Sequence, residues 1–331
     1  MSDPQPASLP VLLDALRAAG EATRLRVLAL LAEGELTVTE LTEILGQSQP
    51  RVSRHLKLLV ESGLVDRHPE GSWAFFRLSE IEPTAGIART ITCLLDPGDP
   101  QRATDRERFA AVRRARSEAA AAYFRKHAGD WDALRVLHGA EAAVETAIRE
   151  AVGDRPVGTL VDLGTGTGRM LELLAPLAER AVGIDASREM LTVARTNLER
   201  AGIRQAQVRQ GDVYALPLPG GCADLVVLHQ VLHFLDDGGR AIKEAARLLA
   251  PGGRMIVVDL APHEHEALRT EHAHRRLGFS DETIRGWLEA AGLACEAHRE
   301  LPSERPDGLT VSLWVGRDRR AAIRPAHTEA A

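Results

Sequence analysis

Val157-Gly158-Thr159-Leu160-Val161-Asp162-Leu163-Gly164-Thr165-Gly166-Thr167-Gly168-Arg169 decides the fold of the larger part of this chain. The apolar run Leu160 to Leu163 reads as a buried strand, and the glycines behind it as a tight turn. Met170, Leu171, Leu174 and Leu177 then open a helical pattern. Glycine lets a ligand approach the backbone closely, and a helix N-terminus offers unsatisfied N–H groups. The spacing is D-x-G-x-G-x-G and not G-x-G-x-x-G, because position 169 is arginine. Seventeen residues beyond Gly168, Val182-Gly183-Ile184-Asp185 reads as a second strand ending in a carboxylate. In a doubly wound sheet that carboxylate lies where a ribose would sit.

Further motifs follow in order: Gly183-Ile184-Asp185-Ala186-Ser187 with Met190 after it, Gln210-Gly211-Asp212-Val213, Ala223-Asp224-Leu225-Val226-Val227, and Leu248-Leu249-Ala250-Pro251-Gly252-Gly253-Arg254. Over residues 120 to 317 this set resembles the class I S-adenosylmethionine (SAM)-dependent methyltransferases. The resemblance implies a seven-stranded Rossmann-like sheet and a cofactor, SAM, or its product S-adenosylhomocysteine (SAH) as ligand. It assigns cofactor binding to Asp162, Gly164, Thr165, Gly166, Gly168, Asp185, Ala186, Met190, Gly211, Asp212, Val213 and His229. Asp162 would orient the amino end, Asp185 hold the ribose, and Asp212 with the Val213 amide read the adenine. The plain alternative is a Rossmann-like domain that kept the turn and lost the ligand.

The chain has 331 residues, 44% hydrophobic, enough for two domains with ordinary cores. A net charge of −6 does not suggest a generally basic nucleic-acid binder and does not exclude one, because local patches decide that question. Cys93, Cys222 and Cys295 are scattered and read as reduced thiols of a cytoplasmic protein. No run of about 18 apolar residues suggests a membrane span.

In the first hundred residues, helices are predicted over 9–19, 21–32 and 37–45, with Gly34 and Gly46 as stops. Ser48 and Pro50 open a fourth helix. In it Val52, Leu56, Leu59 and Val60 face a core, and Arg51, Arg54 and His55 fall on the opposite face. Residues 64–68 and 72–78 read as strands joined by Pro69-Glu70-Gly71. Over residues 9 to 95 this winged helix-turn-helix resembles the ArsR/SmtB repressors. That implies a homodimer on double-stranded operator DNA, each recognition helix in a major groove and the wing on the flanking backbone. The implied DNA contacts are Gln47, Ser48, Gln49, Arg51, Ser53, Arg54, His55, Lys57, Arg67 and Arg77. Through residue 100 there are 9 Lys+Arg against 14 Asp+Glu, yet Arg51 to Arg77 holds 5 against 3, so positive charge gathers on the segment that would meet DNA.

The expected domains are 1–97 for DNA binding and dimerisation, 98–140 for a linker and helical lid, 141–317 for the methyltransferase, and 318–331 for a tail. Asp96-Pro97-Gly98-Asp99-Pro100 reads as the hinge, and Thr104-Asp105-Arg106-Glu107 as a capping box opening a long helix. Its arginines at 106, 108, 113, 114 and 116 read as a solvated face, with a DNA-backbone contact as the alternative. Tyr123 to Gly139, with Trp131 and Leu134, reads as a lid. Ser280 caps a helix over 279–292, and strands over 293–299 and 309–315 close the sheet. His229 and His233 are the candidate general bases, with no catalytic signature fixed. His263, His265, His272 and His274 surround Arg269, Arg275 and Arg276 on segments that look helical, which suits a solvated face or an anion pocket better than a metal. No Asn-Pro-Pro-Tyr, Asp-Pro-Pro-Tyr or Pro-Cys occurs, which argues against amide, base-amine and cytosine C5 methylation.

Two functions fit: a repressor sensing SAM or SAH, or one carrying a working methyltransferase for a small-molecule acceptor. A third is a methyltransferase using the winged helix only to dimerise. Metal-sensing repressors carry Glu-Leu-Cys-Val-Cys where this chain has Glu35-Leu36-Thr37-Val38-Thr39, and hydroxyls are poor ligands for soft metals. No metal site is expected. Zinc, cadmium and arsenite should leave operator binding unchanged in a gel shift; metal-induced release of DNA, reversed by a chelator, would overturn this.

Overall fold

The computed structural model describes residues 5–70, 73–79, 81–128, 141–153, 156–303 and 308–320. The chain divides into two units, Met1–Ala119 and Ala120–Ala331. The first half of the expected linker therefore belongs with the first unit.

That unit contains α1 (Leu9–Ala19), α2 (Ala22–Leu31), β1 (Leu36–Thr37), α3 (Val38–Leu45), α4 (Gln49–Glu61), β2 (Val65–Glu70), β3 (Trp73–Leu78), α5 (Thr84–Leu94) and the start of α6 (Pro100–His127). Glu21 caps α2 by accepting from the Arg24 amide. Thr37 and Glu40 form a reciprocal capping box on α3, so Thr37 is a helix-entry residue. Ser48 precedes α4 without a side-chain cap bond. The strands lie in the order β1-β3-β2. Pro69 and Glu70, assigned to the turn from sequence, instead pair with Ala74 and Trp73. Proline is tolerated there because β2 is an edge strand. Gly71 lies outside the described residues. Ala15, Leu28, Leu41, Val52, Leu56, Leu59 and Phe76 form one core, completed by Phe109 and Val112 of α6.

α6 begins four residues before the capping box read from sequence. The Asp99 carboxylate accepts from the Arg102 amide, and Thr104 lies within the helix with its hydroxyl on the Pro100 carbonyl. Arg106, Arg108 and Arg114 are exposed, as a solvated face requires, but several arginines of α6 are also tied to the winged helix. Arg106 Nε reaches Glu33 at 2.8 Å, Arg108 the Ile44 carbonyl at 3.0 Å, and Arg116 Nε Glu40 at 2.7 Å. These partners hold the helix on the winged helix.

The second unit continues with α7 (Glu141–Val152), β4 (Val157–Leu163), α8 (Arg169–Leu174), β5 (Ala178–Asp185), α9 (Arg188–Arg200), β6 (Ala206–Gln210) and β7 (Ala223–His229). It ends with α10 (Gly238–Leu248), β8 (Leu249–Leu260), α11 (Ala267–Glu271), α12 (Asp281–Ala290), β9 (Leu293–Leu301) and β10 (Val311–Asp318). The seven strands lie in the order β6-β5-β4-β7-β8-β10-β9, with β10 antiparallel to both β8 and β9. Their inner strands carry mainly apolar runs because both faces are covered. Along β7, Leu225 and Val227 enter one core while Val226 and Leu228 enter the other. On β8, Ile256 and Val258 oppose Met255 and Val257 in the same way. β10 runs three residues beyond its expected end, and Arg320 closes on Asp318 and the Leu249 carbonyl, so residues 318 to 320 are not tail. The remaining tail and the lid residues Trp131 and Leu134 lie outside the described residues.

Asp105 is 3% exposed and takes both prongs of the Arg26 guanidinium at 2.7 Å. Asp105→Ala should cost about 3–5 kcal/mol in denaturant unfolding of the first unit, because it leaves Arg26 without its counter-charge. Arg26→Met with Asp105→Leu should recover most of that loss; equal losses in single and double variants would show that the pair is not the cause.

Candidate functional site

The glycine turn stands at the carboxyl ends of β4 and β5. Gly164, Gly166 and Gly168 all have positive φ, at 71°, 52° and 88°. A Cβ on Gly164 would also lie 2.4 Å from Val231 Cγ2, so this position requires glycine twice over. The amides of Gly164 and Thr165 donate to the Ile184 carbonyl, tying the turn to the neighbouring strand. Asp185 Oδ2 accepts from the Gly166 amide at 2.9 Å, and Oδ1 from the Ser187 amide at 2.8 Å. Burial nevertheless raises the Asp185 carboxyl above its ordinary value, against the pull of those amides.

Asp162 lies beneath the turn, 1% exposed. Its Oδ2 accepts from the Thr165 hydroxyl at 2.5 Å, while Oδ1 is buried and accepts no hydrogen bond. Burial pushes its carboxyl up to about 7; the Thr165 bond works against this, and the Asp185 charge adds to it. A cationic donor brought to this edge would relieve both carboxylates. Arg169 does not supply that charge. It turns to α7, with Nε 2.6 Å from Glu145 Oε1, and to Glu172 at 3.0 Å.

The remaining residues of the expected cofactor set divide by position. Gly211 donates its amide to the Asp185 carbonyl, and the exposed Ala186 has its carbonyl on the Gln210 amide group. Asp212 is exposed, with Oδ1 on the Tyr214 amide, and Val213 packs on the core beside it. Met190 is only 1% exposed and serves α9, its amide on the Ser187 hydroxyl, so it is a core residue and not a lining one. His229 ends β7 half-buried, followed by Gln230 at a φ of 49°. Non-glycine residues rarely take that conformation. Asp162 Oδ1, the turn and Asp185 together fit a ligand with an ammonium group and a diol, as SAM has.

In the winged helix, Ser48, Gln49, Arg51, Ser53, Arg54, Lys57 and Arg67 are exposed. Gln47, His55 and Arg77 turn inward instead. Gln47 Nε2 donates to the Thr23 hydroxyl at 3.2 Å. His55 Nδ1 lies 3.5 Å from Glu21, and Arg77 3.8 Å from Glu35. Burial lowers the His55 imidazole below its ordinary value, so it brings little charge to that face.

The histidine-rich segment is not helical as expected. His263, His265, His272 and His274 flank the single turn of α11 on irregular backbone. Burial, with the nearby His265, His233 and Arg269, pushes His263 down to about 4. Burial likewise pushes Arg276 down to about 10. Among the described residues no group of three His, Cys, Asp or Glu side chains is placed to hold a metal. Asp259, fully buried, escaped the sequence reading, although a lone acid in the apolar run Ile256-Val257-Val258-Asp259-Leu260 is a usable signal. Among the described residues no helix is long and apolar enough to cross a membrane.

Comparison with known proteins gives two family matches: a bacterial regulatory protein, arsR family, over residues 21–67, and a methyltransferase domain over residues 161–257. The uncharacterized 37.1 kDa protein in transposon TN4556 of Streptomyces fradiae is 30% identical over 177 residues, 50% of each chain. The demethylmenaquinone methyltransferase of Thermus thermophilus is 39% identical over 106 residues, 31% of this chain and 47% of its own. The N-methyltransferase NodS from Bradyrhizobium japonicum, solved with SAH, shares 21% identity at a TM-score of 0.45, covering 54% of this chain and 87% of that one. The chain spans half or less of the length of the first curated relatives it matches. This protein therefore joins, in one chain, an ArsR-family helix-turn-helix domain and a methyltransferase domain.

Proposed function

We propose that this protein is an operator-binding regulator, acting in the cytoplasm as a homodimer, whose second domain binds SAM and transfers its methyl group to a small-molecule acceptor. The observation that carries the donor half is Asp162 Oδ1, buried without a hydrogen bond beneath a turn that Asp185 pins in place. The turn and Asp162 would hold the methionine end, Asp185 the ribose, and the chain around Gly211 to Val213 the adenine. SAM supplies an electrophilic methyl group when bound. The protein's share is to orient the donor and exclude water, since in-line transfer depends mainly on position.

The DNA half rests on the exposed cations Arg51, Arg54 and Lys57 along α4. A second copy is supported by the leucines of α1, with Leu9 70%, Leu12 38%, Leu13 40% and Leu16 50% exposed. At this spacing they share one side of the helix. An exposed apolar helix face of this kind suits an interface.

The sensing reading has its own support. Tyr123, near the end of α6, shares a hydroxyl–imidazole bond with His272 of the second unit. A ligand shifts an equilibrium only by its differential affinity for two states, and a coupling of about 1–3 kcal/mol corresponds to about five- to a hundredfold in operator affinity.

Arg54→Ala should cost about 1–3 kcal/mol in specific operator binding at fixed salt, as loss of a base-edge contact would. Unchanged affinity would remove α4 from the groove. SAH should bind in calorimetry, and Asp185→Ala should weaken it by about 2 kcal/mol while leaving ligand-free DNA binding intact. If operator affinity is the same with SAM, SAH or neither, the sensing reading fails and the enzymatic one stands on turnover alone.

Asp162 also makes stability depend on pH. The ligand-free folded state holds this proton more tightly than the unfolded chain does. Folding thus takes up a proton between the ordinary carboxylate pKa of 3.8 and about 7, and stability falls as pH rises through that window. Asp162→Asn should therefore gain on wild type by roughly 1–4 kcal/mol between pH 5 and pH 8. A pH-independent difference in unfolding free energy would contradict the assignment.

A further inference from the structure

The loop after β7 and the end of β8 hold a pair of side chains that donor binding does not use. His233 Nδ1 lies 2.7 Å from Asp259 Oδ1, and the two residues are 3% and 0% exposed. The Leu260 amide donates to the same oxygen at 2.8 Å, and the Leu232 amide to Oδ2 at 3.0 Å. In the neutral tautomer with the proton on Nδ1, His233 donates to Asp259 and Nε2 is left as an acceptor. The ring is held from its main chain as well, because the His233 carbonyl accepts from the amides of Arg275 and Arg276. An acid that orients a histidine through its Nδ1 is the arrangement of a general base.

Its place agrees with that role. Val231, two residues before His233, fills the space against Gly164 in the glycine turn. The dyad thus shares the carboxyl edge of the parallel strands with the donor site. Around it stand flat rings: Phe234 and His274 have centroids 4.1 and 4.2 Å from His233, and Phe124 lies 4.9 Å from Phe234. Such walls suit a planar acceptor better than an aliphatic one.

We propose that His233 is the general base for methyl transfer to an aromatic hydroxyl, with Asp259 as its positioning residue. This rests on the SAM-binding reading above. The acceptor oxygen gives its proton to His233 Nε2 and an electron pair to the methyl carbon. An O–C bond forms, the C–S bond breaks with its pair left on sulfur, and SAH results. His233 then returns the proton to solvent. A phenol needs this help because its oxygen is a weak nucleophile until the proton leaves.

The test begins without turnover. Protein loaded with SAH is titrated with 4-nitrophenol at a pH where the free probe is protonated, and the phenolate absorption is read. Wild type should show bound phenolate; His233→Gln and Asp259→Asn should not, while both still bind SAH by calorimetry. With radiolabelled SAM, His233→Gln should lower methylation of phenol by about 10²- to 10⁴-fold. It should lower methylation of 4-nitrophenol far less in alkali, where that acceptor is already ionised. A merely structural clamp would lower both alike. If His233→Gln does not fold, Asp259→Asn and the wild-type pH profiles for the two acceptors carry the same comparison. SAH binding without phenolate formation or phenol methylation, or equal losses for both acceptors, overturns the proposal and leaves the donor reading standing. Failure of wild type to bind SAM or SAH removes the donor reading, and this proposal with it.

Discussion

The hydrogen bond from the Gly166 amide to Asp185 is the contact on which the second domain's site depends. The three glycines of the turn, at positive φ, have no side chains with which to hold it, and Thr165 between them ties it to Asp162 through its hydroxyl. The turn's shape is imposed from the next strand, through Asp185 and through the Ile184 carbonyl that takes two of its amides. The cost is a carboxylate out of water, offset only in part by the amides it accepts. Asp162 beneath it adds a second acid with one oxygen unmatched. Two neighbouring carboxylates each disfavour the other's charge, so the ligand-free edge is electrostatically incomplete. Sites for charged ligands are built this way: the scaffold stores a cost that the ligand removes.

The first domain shows a different economy of charge. Its arginines and acids pair across elements, with Arg26 on Asp105, Arg106 on Glu33 and Arg116 on Glu40. These pairs give α6 a structural role. Exposed positive charge also stands on the outer face of α4, at Arg51, Arg54 and Lys57, and on the wing at Arg67. An acidic domain can still read DNA when exposed cations gather locally, because phosphate contacts act at short range under salt screening.

The fold was legible wherever local chemistry and tertiary packing agreed. The continuous apolar runs of β4, β7 and β8 announce a sheet covered on both faces, and Ser280 announces α12. Gly46 and Thr37 mark the ends of α3 for the same reason, since capping is a local interaction. Legibility failed where partners are distant in sequence. Arg106 resembles a solvated arginine until Glu33 is found beside it, 73 positions away. His55 and Arg77 look like DNA contacts by helical and strand phase, but each has an acid of its own domain within reach. Met190 matched a motif position yet serves the core. The turn at Pro69 was misplaced because its residues favour turns, while pairing on an edge strand carries them two steps further. The candidate base was visible as a histidine, but the acid that orients it was not. Asp259 becomes informative only when β8 and the loop after β7 are seen side by side.

That pairing also separates two jobs within the acceptor region. Asp259 belongs to β8, and its oxygens are fixed by the amides of Leu232 and Leu260, so the sheet and its adjoining loop set the direction of His233. The ring walls come from elsewhere: His274 follows α11, and Tyr123 and Phe124 stand at the end of α6. The segment from Ala261 to Phe279 is itself anchored at both ends, by the Ala261 amide on Thr310 and the Phe279 amide on Leu260. The carboxylate is fixed by the sheet and its adjoining loop, while the histidine also meets this segment, through the Arg275 and Arg276 amides on its carbonyl and the His274 ring beside it. On the proposal above, the position of the acid would be set by the sheet, and the fit around the acceptor by an irregular segment and a helix end. Loops on a rigid scaffold are where specificity can vary at least cost to stability.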